Sequence, residues 1–408
     1  MIVFFLNKFN DIDHASPIIY KLASEQDSQI LIISINIFLD IENDFRIKYI
    51  KIKFPGIIVS NLMESIAPTM LAKLLNLIFN NKNKVNNKKY LKRLIRKIFF
   101  KFSIIKLLEN IFYTKSRING FLKKTNPSLI VIDHATTERL PGISHIFRYF
   151  QDNNIASLSV PHSFSLFVDH DDKVLRTSIL NMSVSPVSNI IFTNNNYRDE
   201  CINVGLSKDK THVLGSARFC EEWSKILDSI VPREMSRRPK SHKLNVVFMD
   251  RGKKINDKYD VIQESLSIIS QLDFVDLKFK PQTRSNKINF LTDKVEVLTD
   301  YNSIDIIEWA DVVIGNYSSI LIEAVIQNKI LISPLYHKSK ETLLETFGVC
   351  LKVDSNEEII ELLRNIHHKG LEKYKCTNRN NFLNYVSHYS KDVLRDYINL
   401  INLIVDSK

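Results

Sequence analysis

Residues 310–324, ADVVIGNYSSILIEA, place the tightest constraint on what this chain can fold into. The β-branched run 312–314 is a buried strand by composition. Gly315 and Asn316 break it, and helical spacing resumes from Ser318 to Ala324. This strand, turn and helix put Ser318 and Ser319 at or near a first helical turn, where unpaired N–H groups and the positive dipole end favour an anion. Glu323 follows Ser319 by four residues. It therefore lies one turn further along the same face, where a carboxylate can accept hydrogen bonds from a ribose diol. A Ser-Ser pair is equally an ordinary helix cap, and an early glutamate complements the dipole. The residues by themselves leave a nucleotide site and a plain helix start both open.

The same rhythm recurs along the chain. Short apolar runs at 2–6, 29–36, 46–54, 127–135, 155–160, 189–193 and 211–216 read as strands, and helical patterns at 14–22, 142–153 and 194–206 lie between them. A second series starts at 244–249 and continues through 276–280, 295–298, 312–314 and 330–333, with an edge strand at 348–353 and helices at 356–366 and 390–404. Repeated β-α alternation with apolar strands predicts an α/β fold that is doubly wound in each half. A length of 408 residues suits two domains. The charged segment carrying Pro232 and Pro239 has the composition of a connector. The expected division is a first domain at 1–230 holding a helical basic insertion at 61–125, a linker at 231–243, a second domain at 244–385, and a terminal helical segment at 386–408.

The formal net charge of +11 favours an anionic partner: nucleic acid, a phosphorylated substrate or an acidic membrane surface. Much of it is concentrated in the basic insertion, where Lys92, Arg93, Arg96 and Lys97 interleave with Phe99 and Phe100. On a helix, Leu91, Leu94, Ile95, Ile98 and Phe102 share one face flanked by lysine and arginine, the composition of an interfacial helix on anionic lipid. A core-packed helix with a solvated basic face fits the same pattern. No nucleic-acid module surrounds the run, so nucleic acid is not the expected partner. No apolar run is long enough to span a membrane, the first residues read as a strand rather than a leader, and the four cysteines show no pairing or metal-ligand spacing. These features predict a cytoplasmic chain, peripheral at the inner face of the cytoplasmic membrane.

Residues at the carboxyl ends of parallel strands face the ligand crevice in open α/β sheets. Asp133 and His134 end one strand and His162 follows another. In the second half, Arg251 and Gly252 follow the first strand, where glycine permits close backbone approach to phosphate, although the dinucleotide fingerprint is absent. Lys280 and Arg284 close the next strand as phosphate or base-edge contacts, or as a solvated turn.

Asp311, Tyr317, Ser318 and Ser319, with the preceding 300–307 and following 329–334, resemble the donor site of GT-B glycosyltransferases. The likeness is nearest to CDP-glycerol glycerophosphotransferase-like and capsule or surface-polysaccharide transferases. His14 with Pro17 is similar to a His-x-x-Pro loop of that fold, His162 to a histidine of the glycerophosphotransferase site with Ser163 in place of the usual glycine, and the segment 215–218 to a Gly-x-x-Arg before the interdomain linker. In that likeness Arg218 either approaches the substrate phosphate or ties the linker down. The resemblance implies two Rossmann-like domains facing a cleft, with the terminal helix returning to the first. It further implies transfer of a sugar or polyol phosphate from a CDP-, CMP- or UDP-linked donor to a surface glycan or lipid-linked acceptor. In that scheme His14, Asp133 or His162 removes the acceptor proton, Arg251, Gly252, Lys280, Arg284, Tyr317, Ser318, Ser319 and Glu323 bind the donor, and neither a metal nor a tightly bound cofactor is required. A non-hydrolysing nucleotide-sugar 2-epimerase, or a noncatalytic binding protein on the same fold, are the alternatives.

Overall fold

A computed structural model describes residues 1–26, 28–37, 39–67, 111–134, 142–162, 164–168, 187–239, 242–251, 258–282, 295–388 and 391–407. The chain divides into two units. Met1–Ser163, Asp171–Ser224 and Lys391–Lys408 form unit 1, and Phe164–His170 with Lys225–Ser390 form unit 2.

Unit 1 is built on β1 (Ile2–Leu6), β2 (Ile30–Ser34), β3 (Ile58–Asn61), β4 (Leu129–Asp133), β5 (Ala156–Val160), β6 (Asn189–Phe192) and β7 (Thr211–Val213). They form one parallel sheet in the order β3-β2-β1-β4-β5-β6-β7. β1, β2, β4 and β5 are buried along their whole length, as strands covered on both faces must be. Val3, Phe5, Ile33, Ile130 and Ile132 share one side of the sheet with Phe147 and Phe150, which lie on the helix Ile143–Asp152. β1 has β2 on one side and β4 on the other, so the winding reverses there. The crevice beyond the ends of β1 and β4 is the place where such sheets take ligands.

Two elements of unit 1 differ from the sequence expectation. α1 begins at Phe9 and runs to Glu25, earlier than the expected start at 14, so Pro17 lies inside it instead of opening it. Its start is set by Asp11, whose carboxylate accepts the N–H groups of Asn7 and Lys8 at 2.6 and 2.9 Å. That cap outweighs the proline signal. The expected strand at 46–54 is instead α2 (Phe45–Lys53), capped by Asp44 accepting from the Arg46 N–H. Its alternating apolar residues imitate a strand, but the buried positions are Arg46, Ile47 and Ile50, which is helical spacing.

A helix precedes the segment expected as the linker. Glu221–Ile230 is a helix, α3, burying Trp223 and Leu227 one turn apart. Of the basic insertion at 61–125, the short helix Leu62–Ile66 and the helix Lys115–Thr125 are described. Lys92, Arg93, Arg96, Lys97, Phe99 and Phe100 lie outside the described residues. Among the described residues no helix is long and apolar enough to cross a membrane. All four cysteines are unpaired.

Unit 2 carries β8 (Leu244–Met249), β9 (Val275–Lys280), β10 (Glu296–Val297), β11 (Val312–Gly315), β12 (Ile330–Pro334) and β13 (Leu351–Val353). These are parallel in the order β10-β9-β8-β11-β12-β13. Val246, Phe248, Leu277, Phe279, Ile314 and Ile332 pack with Ile262, Leu266, Ile359 and Leu363 from the covering helices. Here the winding reverses between β8 and β11, so Arg251 and the stretch from Asn316 to Ser319 flank the crevice. The helices α4 (Ser303–Trp309), α5 (Leu321–Ile326) and α6 (Leu343–Thr346) belong to this unit. The terminal helix α7 (Val393–Asp406) belongs to unit 1, where Tyr397 donates from its hydroxyl to the Gly215 carbonyl at 3.0 Å.

Candidate functional site

In unit 2, β11 ends hard against β8. Gly315 pairs with Met249, and a Cβ on Gly315 would lie 3.1 Å from the Met249 carbonyl oxygen and 3.2 Å from a Leu321 methyl. Glycine is the residue that permits this approach. Asn316 is buried beyond it, its amide donating to the Pro334 carbonyl while its oxygen accepts from the Ser333 hydroxyl. Tyr317 then takes a left-handed backbone, φ 57°, uncommon for a residue with a side chain. Its buried hydroxyl accepts from the N–H groups of Ser339 and Lys340 at 2.9 and 2.8 Å, so the strained residue is fixed from both ends.

This turn moves the helix start. α5 begins at Leu321, and Ser318 and Ser319 lie in the turn before it, their carbonyls accepting from Leu321 and Ile322. The expected helical stretch from Ser318 is thus replaced by a tight entry that the left-handed Tyr317 imposes. Both serines are half-buried, and Glu323 is buried in the first turn of α5.

Around this loop, the cations fall into two kinds. Lys338 is ion-paired with Glu345 at 2.6 Å, and Glu345 also accepts from Ser333 and Thr342 as the capping residue of α6. Lys280 donates to the carbonyls of Thr299 and Tyr301 at 3.2 and 2.8 Å, so two of its three donors hold that loop. Arg251 is half-buried with no hydrogen-bonding or carboxylate partner among the described residues, and burial lowers the pKa of its guanidinium. Its contact is the ring of Phe167, 5.9 Å from the guanidinium carbon. Gly252 and Arg284 lie outside the described residues.

The second cluster lies at the winding reversal of unit 1. Asp133 is the last residue of β4, and His162 follows β5. His162 Nδ1 donates to Asp133 Oδ2 at 2.6 Å, and Asp11 Oδ1 is 3.3 Å from the same nitrogen. Desolvation works against a proton on His162, but the hydrogen bonds and charges of Asp11 and Asp133 outweigh it and raise the imidazole pKa to about 9. At neutral pH this is an imidazolium between two carboxylates. The three donor atoms lie within 4.8 Å of one another; the Nδ1 proton is shared with Asp133, while the buried Asp11 Oδ1 makes no hydrogen bond among the described residues. His14 is buried in α1. Burial, then the charges of Arg218, His162 and His134, hold it well below the usual histidine range, so it is neutral. Burial first and His162 second push His134 down to about 4. Arg218 pairs with Asp13 at 3.2 Å, and Arg46 also holds Asp13, which ties the segment after β7 to α1 and α2.

The structure therefore brings Asp133 and His162 together as expected positions in one crevice and adds His14 behind them. It also adds Asp11, which the sequence reading missed. The available signal was an aspartate just after an apolar strand and at the third position of a helix, a pattern shared with ordinary caps.

No known family profile matches the sequence, and no curated protein matches it. Among solved structures, the chain is similar to the UDP-GlcNAc 2-epimerase of Neisseria meningitidis bound to UDP-GlcNAc, at 10% identity and TM-score 0.59, covering 98% of this chain and 99% of that one. It is also similar to S. aureus MnaA in its UDP co-structure, at 11% identity and TM-score 0.54 over 99% and 96% of the two chains. A glycosyltransferase of Rickettsia africae aligns at 14% identity and TM-score 0.52 over 100% and 99%. These likenesses establish the GT-B fold, with two parallel-sheet α/β units in one chain.

Proposed function

We propose that the chain is a nucleotide-sugar enzyme that transfers a glycosyl or polyol-phosphate group to a surface glycan or its lipid-linked precursor. The observation that carries this reading is the loop at the unit 2 winding reversal. Gly315 lets two strand ends close up, Tyr317 is held in a left-handed conformation, and Ser318 and Ser319 follow directly. A strained residue buttressed by two backbone amides at a sheet crevice is the kind of rigid scaffold a diphosphate site needs. In this proposal Ser318 and Ser319 donate to the phosphates, Glu323 accepts from the ribose, and Arg251 offsets charge on the leaving group. Gly252, Lys280 and Arg284 complete the proposed donor set.

The proton chemistry is assigned to Asp133 and His162, with Asp11 added. Because the His162 pKa is raised to about 9, its neutral-pH role is to donate through Nε2, while Asp133 fixes the ring. Buried, neutral His14 then acts as a positioning residue behind this pair rather than as the base. The net charge of +11 and the basic aromatic run support an anionic, membrane-bound acceptor at the cytoplasmic face. The donor is a CDP-, CMP- or UDP-linked compound.

The second reading, a non-hydrolysing 2-epimerase, is favoured by the same cluster. Two carboxylates and an imidazolium offer a proton acceptor and a proton donor together, as inversion at a carbon requires. One experiment tests both. Nucleotides and nucleotide sugars are screened by thermal shift against the wild type and the Ser318→Ala, Ser319→Ala double variant, and the stabilising donor is then incubated with and without lipid-linked acceptor. Saturation near a hundredfold over Kd stabilises the folded state by about 2.7 kcal/mol. A shift lost in the variant, with nucleotide release that needs acceptor, supports transfer. A new soluble sugar nucleotide formed from the donor alone supports the epimerase. No shift with any nucleotide overturns both.

A further inference from the structure

Segment 164–168 follows β5 in sequence but belongs to unit 2. The Leu166 carbonyl accepts from the Leu343 N–H at 2.7 Å, and Phe167 forms a β-bridge with Thr342, so the segment is stitched to the start of α6. This places the Phe167 ring 5.0 Å from the Tyr317 ring. Two cations then meet it, the Arg251 guanidinium carbon at 5.9 Å and Lys340 Nζ at 5.8 Å.

Neither cation has a hydrogen-bonding or carboxylate partner for its side chain among the described residues. Lys338, two residues before Lys340, shows the contrast, since its charge is neutralised by Glu345. Arginine does not shed its proton in proteins, so among the described residues this half-buried guanidinium has only the weak quadrupole of a ring to replace lost hydration. An anion would supply what the ring does not. Tyr317 sets the second cation in place, because its hydroxyl holds the Lys340 N–H while its backbone leads into Ser318.

We infer that Phe167 is a positioning residue that braces Arg251 and Lys340 as a two-cation subsite for a diphosphate, selecting nucleoside diphosphate donors over monophosphate ones. The inference rests on the nucleotide reading above for its natural ligand, but a diphosphate group is recognised here whatever it is attached to. One cation per phosphate matches the half-buried Arg251 and the exposed Lys340 on one ring, where a monophosphate donor would engage only one of them.

The test measures binding of pyrophosphate and phosphate, and of UDP, UMP, CDP and CMP, by titration calorimetry. The proteins are the wild type, Lys340→Met, Arg251→Met, Phe167→Leu and Phe167→Tyr. The wild type is expected to bind diphosphates at least about tenfold more tightly than the matching monophosphates, since a charge-assisted contact is worth about 1.5–3 kcal/mol. Lys340→Met and Arg251→Met should each abolish that preference. Phe167→Leu should reduce it about tenfold, and Phe167→Tyr, which keeps the ring, should restore it. Lys340 is exposed, so its variant carries little folding risk, and an unchanged melting temperature of each ligand-free variant separates lost binding from lost fold. Equal affinity for mono- and diphosphates, or a preference unmoved in Lys340→Met, overturns the subsite while leaving the nucleotide reading standing. Pyrophosphate binding that is lost in the variants, with no nucleotide bound, upholds the subsite and removes the nucleotide reading.

Discussion

His162 Nδ1 stands 2.6 Å from Asp133 Oδ2, joining the ends of two adjacent parallel strands through one proton. The pair makes the stability of unit 1 depend on pH. An unfolded histidine titrates near 6.5, and His162 in the folded chain near 9. Its contribution is therefore complete below about pH 6.5 and is lost as pH rises through about 9. His162→Gln, which cannot carry the proton, should narrow the stability gap to wild type as pH climbs from 6 to 10. Urea midpoints across that range would measure it, and a constant gap would show that His162 is not held as an imidazolium.

At the winding reversal of unit 2, Gly315→Ala would drive a Cβ to 3.1 Å from the Met249 carbonyl. The obstacle is backbone in a paired strand, which has little room to give. The expected cost is about 1–3 kcal/mol, the usual range for overpacking. A lowered urea midpoint with unchanged slope is the predicted signature, and wild-type stability would mean that β11 can slide away from β8.

The parts of the fold legible in the sequence were those fixed by local chemistry. β8 needed nothing beyond its own apolar run to be bounded at residues 244 and 249. α2 was misread because Ile50, Ile52 and Phe54 alternate as in a strand while Ile47 and Ile50 keep helical spacing, and only packing on unit 1 chooses between them. β3 escaped notice because Ile58–Asn61 is short and largely unburied, so its apolar signal is weak. Among site residues, Asp133 and His162 were visible because strand ends are visible. Asp11 and Phe167 were not: the first looks like a cap, and the second acquires its neighbours Arg251, Tyr317 and Lys340 from loops far along the chain.

The contacts of Asp305 are structural. It lies in α4, and its carboxylate accepts the N–H groups of Glu234, Met235 and Ser236 and the Ser236 hydroxyl. Desolvation opposes its charge, yet those four donors outweigh it and lower its pKa. Its contribution is present above the ordinary carboxylate range near 4 and is lost as pH falls below it. Asp305→Ala should destabilise unit 2 by about 1–3 kcal/mol at neutral pH, the cost of stranding partly buried donors, with a smaller difference at pH 3. Equal stability of the two proteins at neutral pH would show that water replaces the carboxylate.

Tyr317 separates scaffold from chemistry, because its hydroxyl touches only backbone. Tyr317→Phe keeps the ring against Phe167 but leaves the Ser339 and Lys340 N–H groups without their acceptor. The expected stability loss is about 1–3 kcal/mol. This hydroxyl ties the Ser318–Ser319 turn to the Lys340 loop, so nucleotide affinity should fall as well. Tyr317→Gly poses the opposite question. It removes the left-handed strain, worth roughly 1–3 kcal/mol, together with both the ring and the hydroxyl. If the strain is maintained for the sake of the site, the glycine variant should bind nucleotide less tightly than the phenylalanine variant even where its backbone is the more comfortable of the two. Calorimetric titration of both with UDP measures this, and tighter binding by the glycine variant would show that the conformation of residue 317, and not its side chain, is what the site requires.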